Sequence, residues 1–218
     1  MRKIPKQPWP TKDAMTQVYE QHLWGGNTYD FYSGEGSHEP EFLSPYVEAV
    51  STFLKSHKDI VSICDLGCGD FNVGKHFLPY VSNYYAIDIV ANLIERNKNQ
   101  FSFSNLEFQC IDISKHDLPK ADCALIRQVL QHLSNKEIEG IVKKLRCYKY
   151  LIITEHIPTG EFEPNKDIIS GQGIRLKINS GVNLLEGPFN LKIQEQLELC
   201  KIVLDNHKSQ IVTTLYRL

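Results

Sequence analysis

Three features of the sequence predict an α/β fold built on a doubly wound, mostly parallel sheet. From residue 60 onward short apolar runs alternate with longer amphipathic ones. The runs are almost continuously apolar, as strands covered on both faces are. The first of them ends in a glycine turn, Gly67-Cys68-Gly69, where a strand must reverse into a helix. Parallel neighbours need a crossover, and a helix is the usual one.

In chain order, strands are expected at 60–66, 84–89, 106–111, 122–126 and 150–154. Helical spacing fills 73–81, 92–99 and 135–146, the last with Ser134 and Asn135 as candidate caps ahead of Glu137. Another helical pattern runs from about 39 to 54, behind a glycine-rich stretch at 24–37. After Thr154 the pattern breaks into a long segment rich in Gly, Pro and Asn. Two strand-like runs follow at 197–204 and 210–216, with Asn206, His207 and Lys208 placed as a hairpin turn and the last strand expected antiparallel. A loop as long as 155–189 is uncommon in a compact domain and is often functional. One domain is expected, divided into a helical cap or lid (1–58), a core (59–155), an insertion (156–196) and terminal strands (197–218).

Composition narrows the class. The chain has 218 residues, 24 Lys and Arg against 26 Asp and Glu, and a formal net charge of −2. Such a balance provides no basic field for a nucleic-acid or anionic-membrane coat. No apolar run is long enough to span a bilayer, and the basic N-terminus lacks the apolar stretch of a signal peptide. The six cysteines are scattered, several inside strand-like runs, which fits a reducing cytoplasm. Cys64 and Cys68 have no second Cys or His pair at zinc spacing, so no metal is expected.

The turn carries the chemistry. In Asp65-Leu66-Gly67-Cys68-Gly69-Asp70-Phe71-Asn72 two glycines let a ligand approach the backbone at the carboxyl edge of the sheet. A dinucleotide fingerprint needs a third glycine where Asn72 stands. Asp65 and Asp70 repel a diphosphate but suit an ammonium or sulfonium group.

Asp65-Leu66-Gly67-Cys68-Gly69 resembles the first motif of the class I S-adenosylmethionine-dependent methyltransferases. The resemblance implies a Rossmann-like fold with helices on both faces of the sheet, and S-adenosylmethionine as cofactor. It continues in order along the chain. Asp88, in Tyr84-Tyr85-Ala86-Ile87-Asp88-Ile89, stands where the family holds the ribose hydroxyls. Asp112, beside Ile113, stands where it meets the adenine amino group, and Arg127-Gln128-Val129-Leu130-Gln131-His132-Leu133 where it flanks the methionine end. Phe71 departs from the glycine many members have. The flanks Leu23-Trp24-Gly25-Gly26, Phe31 to Ser37, Asn165 to Ile168 and Pro188-Phe189-Asn190 are similar to a bacterial subgroup of unassigned substrate. The cofactor residues implied are thus Trp24, Asp65, Gly67, Cys68, Gly69, Asp88, Ile89, Asp112, Ile113, Arg127 and Gln128.

An activated sulfonium methyl needs mainly an acceptor held in line, with a base where the acceptor carries a proton. His156, His132 and Tyr32 are the leading candidates for that base, with Glu155 and His38 behind them. Arg127, at a strand end, must find an anion on the cofactor, on Asp65 or on a substrate. His156, Asn165, Asp167 and Arg175 are expected to line an acceptor pocket, and Trp24 to Ser37 to form a lid. The expected activity is in-line methyl transfer to a small molecule. Its rivals are an RNA methyltransferase and a module that binds the cofactor without turnover; the sequence leaves oligomeric state open.

Overall fold

A computed structural model describes residues 8–27, 29–204 and 208–218. Two helices, α1 (Thr11–Glu20) and α2 (Pro40–Ser56), precede the sheet. The strands are β1 (Ser62–Leu66), β2 (Asn83–Asp88), β3 (Leu106–Cys110), β4 (Cys123–Arg127), β5 (Tyr150–Pro158), β6 (Glu195–Leu204) and β7 (Ser209–Arg217). Helices α3 (Ala91–Gln100) and α4 (Asn135–Leu145) lie between them. Their order in the sheet is β3-β2-β1-β4-β5-β7-β6. The first five are parallel, and β7 enters antiparallel between β5 and β6.

Each face of the sheet carries its own core. On one, Ile63, Leu125, Tyr84 and Ile152 meet Val50, Phe53 and Leu54 of α2 and Ile94 of α3. On the other, Cys64, Leu66, Ile126, Leu151 and Ile153 meet Ile138, Ile141 and Leu145 of α4, and Leu184, Phe189 and Leu191 of the segment after β5. Period-2 alternation in the strands sends neighbouring residues to opposite cores, and the i, i+3, i+7 spacing of α4 makes its single apolar stripe. Ser134 and Glu137 close α4 with a capping box.

The structure departs from the sequence expectation in three places. Residues 74–80 form a 3-10 helix carrying Pro79, which has no amide to donate to an α-helical ladder. Helix α1 has no side-chain cap, since Pro10 stands at its N-cap, yet Val18 and Tyr19 are buried. β5 runs on to Pro158 because β7 pairs with it along its whole length. Of the expected hairpin turn, residues 205–207 lie outside those described; the flanking Leu204 and Ser209 are paired. Among the described residues no helix is long and apolar enough to cross a membrane.

The segment between β5 and β6 is held by side chains. Arg175, 1% exposed, donates to the carbonyls of Leu130, Leu133 and Lys166 at 2.7–3.1 Å and to Asn135 Oδ1 at 2.8 Å. Asn165 donates to the carbonyls of Asn183 and Gly187 and accepts from the Asn183 amide. Asn135 donates its amide to Asp167. The segment is thereby fastened to the start of α4.

Candidate cofactor site

Sheet order reverses between β1 and β4, and the loops leaving these two strands part at their carboxyl ends, where open α/β sheets bind ligands. A cavity of about 450 Å³ opens there. All eleven residues assigned to the cofactor line it: Trp24, Asp65, Gly67, Cys68, Gly69, Asp88, Ile89, Asp112, Ile113, Arg127 and Gln128.

The loop after β1 is tightly committed. The amides of Gly67 and Cys68 both donate to the Ile87 carbonyl at 2.8 Å, Gly69 donates to Asp88 Oδ2 at 3.2 Å, and Asp70 to Ser33 Oγ at 2.8 Å. No amide of these four is left to cradle a diphosphate. Gly67 has φ +92°, and a Cβ there would lie 2.3 Å from a Val129 methyl, so only glycine fits. Phe71, where many class I methyltransferases have glycine, takes φ +64°, with its ring packed against Tyr84, Phe101 and Phe108 at centroid distances of 4.9–5.6 Å. The substitution therefore fills the core beneath the loop and leaves the cavity open.

Asp88 ends β2, and its Oδ1 accepts the Val90 amide at 3.0 Å. Burial raises its pKa against these amide bonds. Burial also pushes Asp65 up to about 7, against the hydrogen bond donated by Tyr84 at 2.9 Å. Burial alone would raise Asp112 too, but Lys115 at 2.7 Å and Ser114 at 2.6 Å hold it below the usual carboxylate range. Apolar Ile89, Ile111 and Ile113 stand beside these acids. A carboxylate at the end of β2 for a diol, apolar side chains for a purine face and a buried acid for cationic groups fit S-adenosylmethionine.

The candidate bases are placed differently. Tyr32 and His156 do not line the cavity. Tyr32 stacks on His38 with centroids 4.3 Å apart. The extension of β5 keeps His156 within the sheet, its Nε2 2.9 Å from Ser209 Oγ of β7. His132 does line the cavity, but burial lowers it to about 4, far below a useful base at neutral pH. Its ring reaches the Gly171 carbonyl at 3.2 Å and the Gln131 amide at 3.3 Å, while Gln131 Oε1 accepts the His156 amide. This chain fixes the tautomer with Nδ1–H donating to Gly171, so His132 positions the segment after β5. Nor do His38 and Glu155 reach the cavity. Burial would raise Asp70, but His38 Nε2 at 2.6 Å holds its pKa down. The acceptor-pocket reading of Arg175 gives way to its carbonyl clamp, and the segment's cavity residues are instead Gln172, Gly173, Ile174 and Lys177.

Sequence reasoning passed over the α1 wall (Thr11, Met15, Tyr19), Tyr46, Ser33 and Glu137. The 15, 18, 19 spacing of Met15, Val18 and Tyr19 was the available signal for α1. Burial alone would raise Glu137, but hydrogen bonds from Ser134, Ser170 and Thr11 hold it down, joining α1, α4 and the segment after β5 at the cavity rim.

Residues 64–151 match the family model described as a methyltransferase domain. No curated protein is significantly similar in sequence. Among solved structures, N-methyltransferase NodS from Bradyrhizobium japonicum WM9, bound to S-adenosyl-L-homocysteine, superposes with a TM-score of 0.67 at 12% identity, over 94% of this chain and 99% of its own. Magnesium protoporphyrin IX methyltransferase ChlM from Synechocystis PCC 6803, bound to S-adenosylmethionine, gives 0.59 at 15%, over 98% and 100%. The N-terminal domain of EvdMO1 with S-adenosylhomocysteine gives 0.60 at 14%, over 96% and 98%. The matched segment, less than half of the chain, is similar to a methyltransferase domain. These three structures share the fold of this chain.

Two expectations follow. Asp88→Ala should weaken S-adenosylhomocysteine binding by about 1–3 kcal/mol, the range for losing a charged hydrogen-bond partner. An unchanged dissociation constant in a folded variant would leave Asp88 as no more than a brace for the loop. If Trp24 to Ser37 is a lid, it should resist protease several-fold better with S-adenosylhomocysteine than without it, because a ligand shifts the population towards the state it binds. Equal cleavage in both states would make the segment a fixed wall.

Proposed function

We propose that this protein transfers the methyl group of S-adenosylmethionine to a small-molecule acceptor, by in-line displacement at the sulfonium. The observation that carries the reading is the cavity at the strand ends. Its walls come from α1 and the glycine-rich segment on one side and from Gln172 to Ile174 on the other, and about 450 Å³ suits a cofactor with a compact acceptor better than a polymer. ChlM, by its name, acts on magnesium protoporphyrin IX, a small molecule, which supports the same reading.

In this proposal Asp88 holds the ribose, and Ile89, Asp112 and Ile113 frame the adenine. Asp65 sets negative charge beneath the methionine end, where the cofactor bears its ammonium and sulfonium. Gly67, Cys68 and Gly69 let it lie against the backbone, with Gln128 and Trp24 closing over it. The chain's work is then to exclude water and hold the acceptor about 3–3.5 Å from the methyl carbon. Incubation with methyl-labelled cofactor and fractionated cell extract tests this. Label should enter the small-molecule fraction; label confined to RNA, or no transfer at all, would contradict it.

A further inference from the structure

Arg127 ends β4 at the cavity wall, and its surroundings do not neutralise it. Nη2 donates to the Gly36 carbonyl and Nη1 to Ser37 Oγ at 3.3 Å, and the guanidinium lies 4.8 Å from the centre of the Tyr46 ring. These are neutral partners. Among the described residues no carboxylate lies within 4.0 Å of it, and its buried Nε has no hydrogen-bond partner. The acid that faces it, Asp65, is held by Tyr84 on the neighbouring strand. A guanidinium kept from water costs several kcal/mol unless an anion completes it, and its planar fork matches a carboxylate.

The position favours one source for that anion. Asp112, Asp88 and Gly67 to Gly69 mark a cofactor track across the ends of β3, β2 and β1, and Arg127 lies on β4, one strand beyond. Its two bonded neighbours belong to the 33–38 segment and its stacking partner to α2, so it faces the side closed by the cap. Lys177, a second cation, lines the same cavity from the segment after β5. Of the track's acids only Asp65 faces Arg127, and Asp65 is already held by Tyr84, which sets Arg127 apart from the cofactor residues with which the resemblance groups it.

We propose that Arg127 is the anion-binding residue of the acceptor subsite, and that the acceptor carries a carboxylate docked on its guanidinium edge. This deepens the small-molecule reading and rests on it. The probes are matched pairs of small carboxylates and their amides, benzoate with benzamide and 3-phenylpropionate with its amide. Binding is read by ligand-observed NMR with and without saturating S-adenosylhomocysteine, on the wild type, Arg127→Gln and Arg127→Lys. The wild type should prefer each carboxylate by about tenfold, Arg127→Gln should abolish the preference, and Arg127→Lys, which keeps the charge without the fork, should retain part of it. S-adenosylhomocysteine affinity should stay within about threefold in both variants. Equal binding of acid and amide to the wild type, or a preference that survives in Arg127→Gln, overturns the proposal. A tenfold loss of S-adenosylhomocysteine affinity in Arg127→Gln overturns it too, because the carboxylate would then be the cofactor's own. Should Arg127→Gln fail to fold, Arg127→Lys decides: a full wild-type preference with the fork removed, or none at all, counts against a bidentate site. Failure of the wild type to bind S-adenosylhomocysteine contradicts the cofactor reading instead, and the pairs measured without it still decide the role of Arg127.

Discussion

Arg175→Ala should lower the unfolding free energy by about 3–5 kcal/mol, the scale for breaking a buried, hydrogen-bonded cation network. The guanidinium satisfies the carbonyls of Leu130, Leu133 and Lys166 together with Asn135 Oδ1, and alanine strands all four acceptors away from water. It also unfastens the segment after β5 from α4, so Gln172 to Ile174 should lose their place in the cavity wall. Chemical denaturation reads the first effect, and faster amide exchange across 165–183 the second. A loss below about 1 kcal/mol would mean that the segment is held by Asn165 and Asp167 without the clamp.

Glu155 should make the protein less stable as the solution turns alkaline. Its side chain is 6% exposed, and burial raises its pKa to about 8 despite the Arg175 charge and the backbone of Leu130 and Gln131 nearby. The unfolded chain releases this proton near pH 4.5, whereas the folded chain keeps it to about pH 8. Stability from this group is therefore intact below pH 4.5 and is lost progressively as pH climbs to about 8. We expect Glu155→Gln to gain about 1–3 kcal/mol on the wild type at pH 8.5 and little at pH 4.5, since each tenfold change in proton affinity between the folded and unfolded chain is worth about 1.4 kcal/mol before relaxation. Taking the difference between the two proteins removes the contribution of Asp65 and other shared groups. Parallel stability curves across that range would contradict the assignment.

The parts of this molecule legible in its sequence are those whose signal is local or ordered. β1 to β5 announce themselves by apolar runs because both faces of a parallel sheet are covered. Asp65, Gly67, Gly69 and Asp88 stand out because a turn at the carboxyl edge permits few residue types. What escaped depends on contacts between distant segments. Arg175 is an exposed-looking cation in a glycine-rich stretch until folding brings three carbonyls around it. His156 follows the apparent end of a strand, but that strand is lengthened by β7, more than fifty residues later in the chain. Helix α1 has an apolar stripe of only three residues and no capping side chain, so it is defined by the cavity wall it completes. Phe71 is the converse: its departure from glycine is visible in sequence, but that its ring turns down between Tyr84 and Phe108 is known only from the fold.

Titration calorimetry of the purified protein with S-adenosylmethionine, S-adenosylhomocysteine and NADH tests the central claim most directly. The cofactor and its product should each bind at one site per chain, through Asp88, Asp112 and the β1 loop. NADH should give no heat, because every amide from Gly67 to Asp70 is already bonded within the protein and none remains for a diphosphate. Saturable NADH binding, with no response to either S-adenosyl compound, would contradict the account at its base.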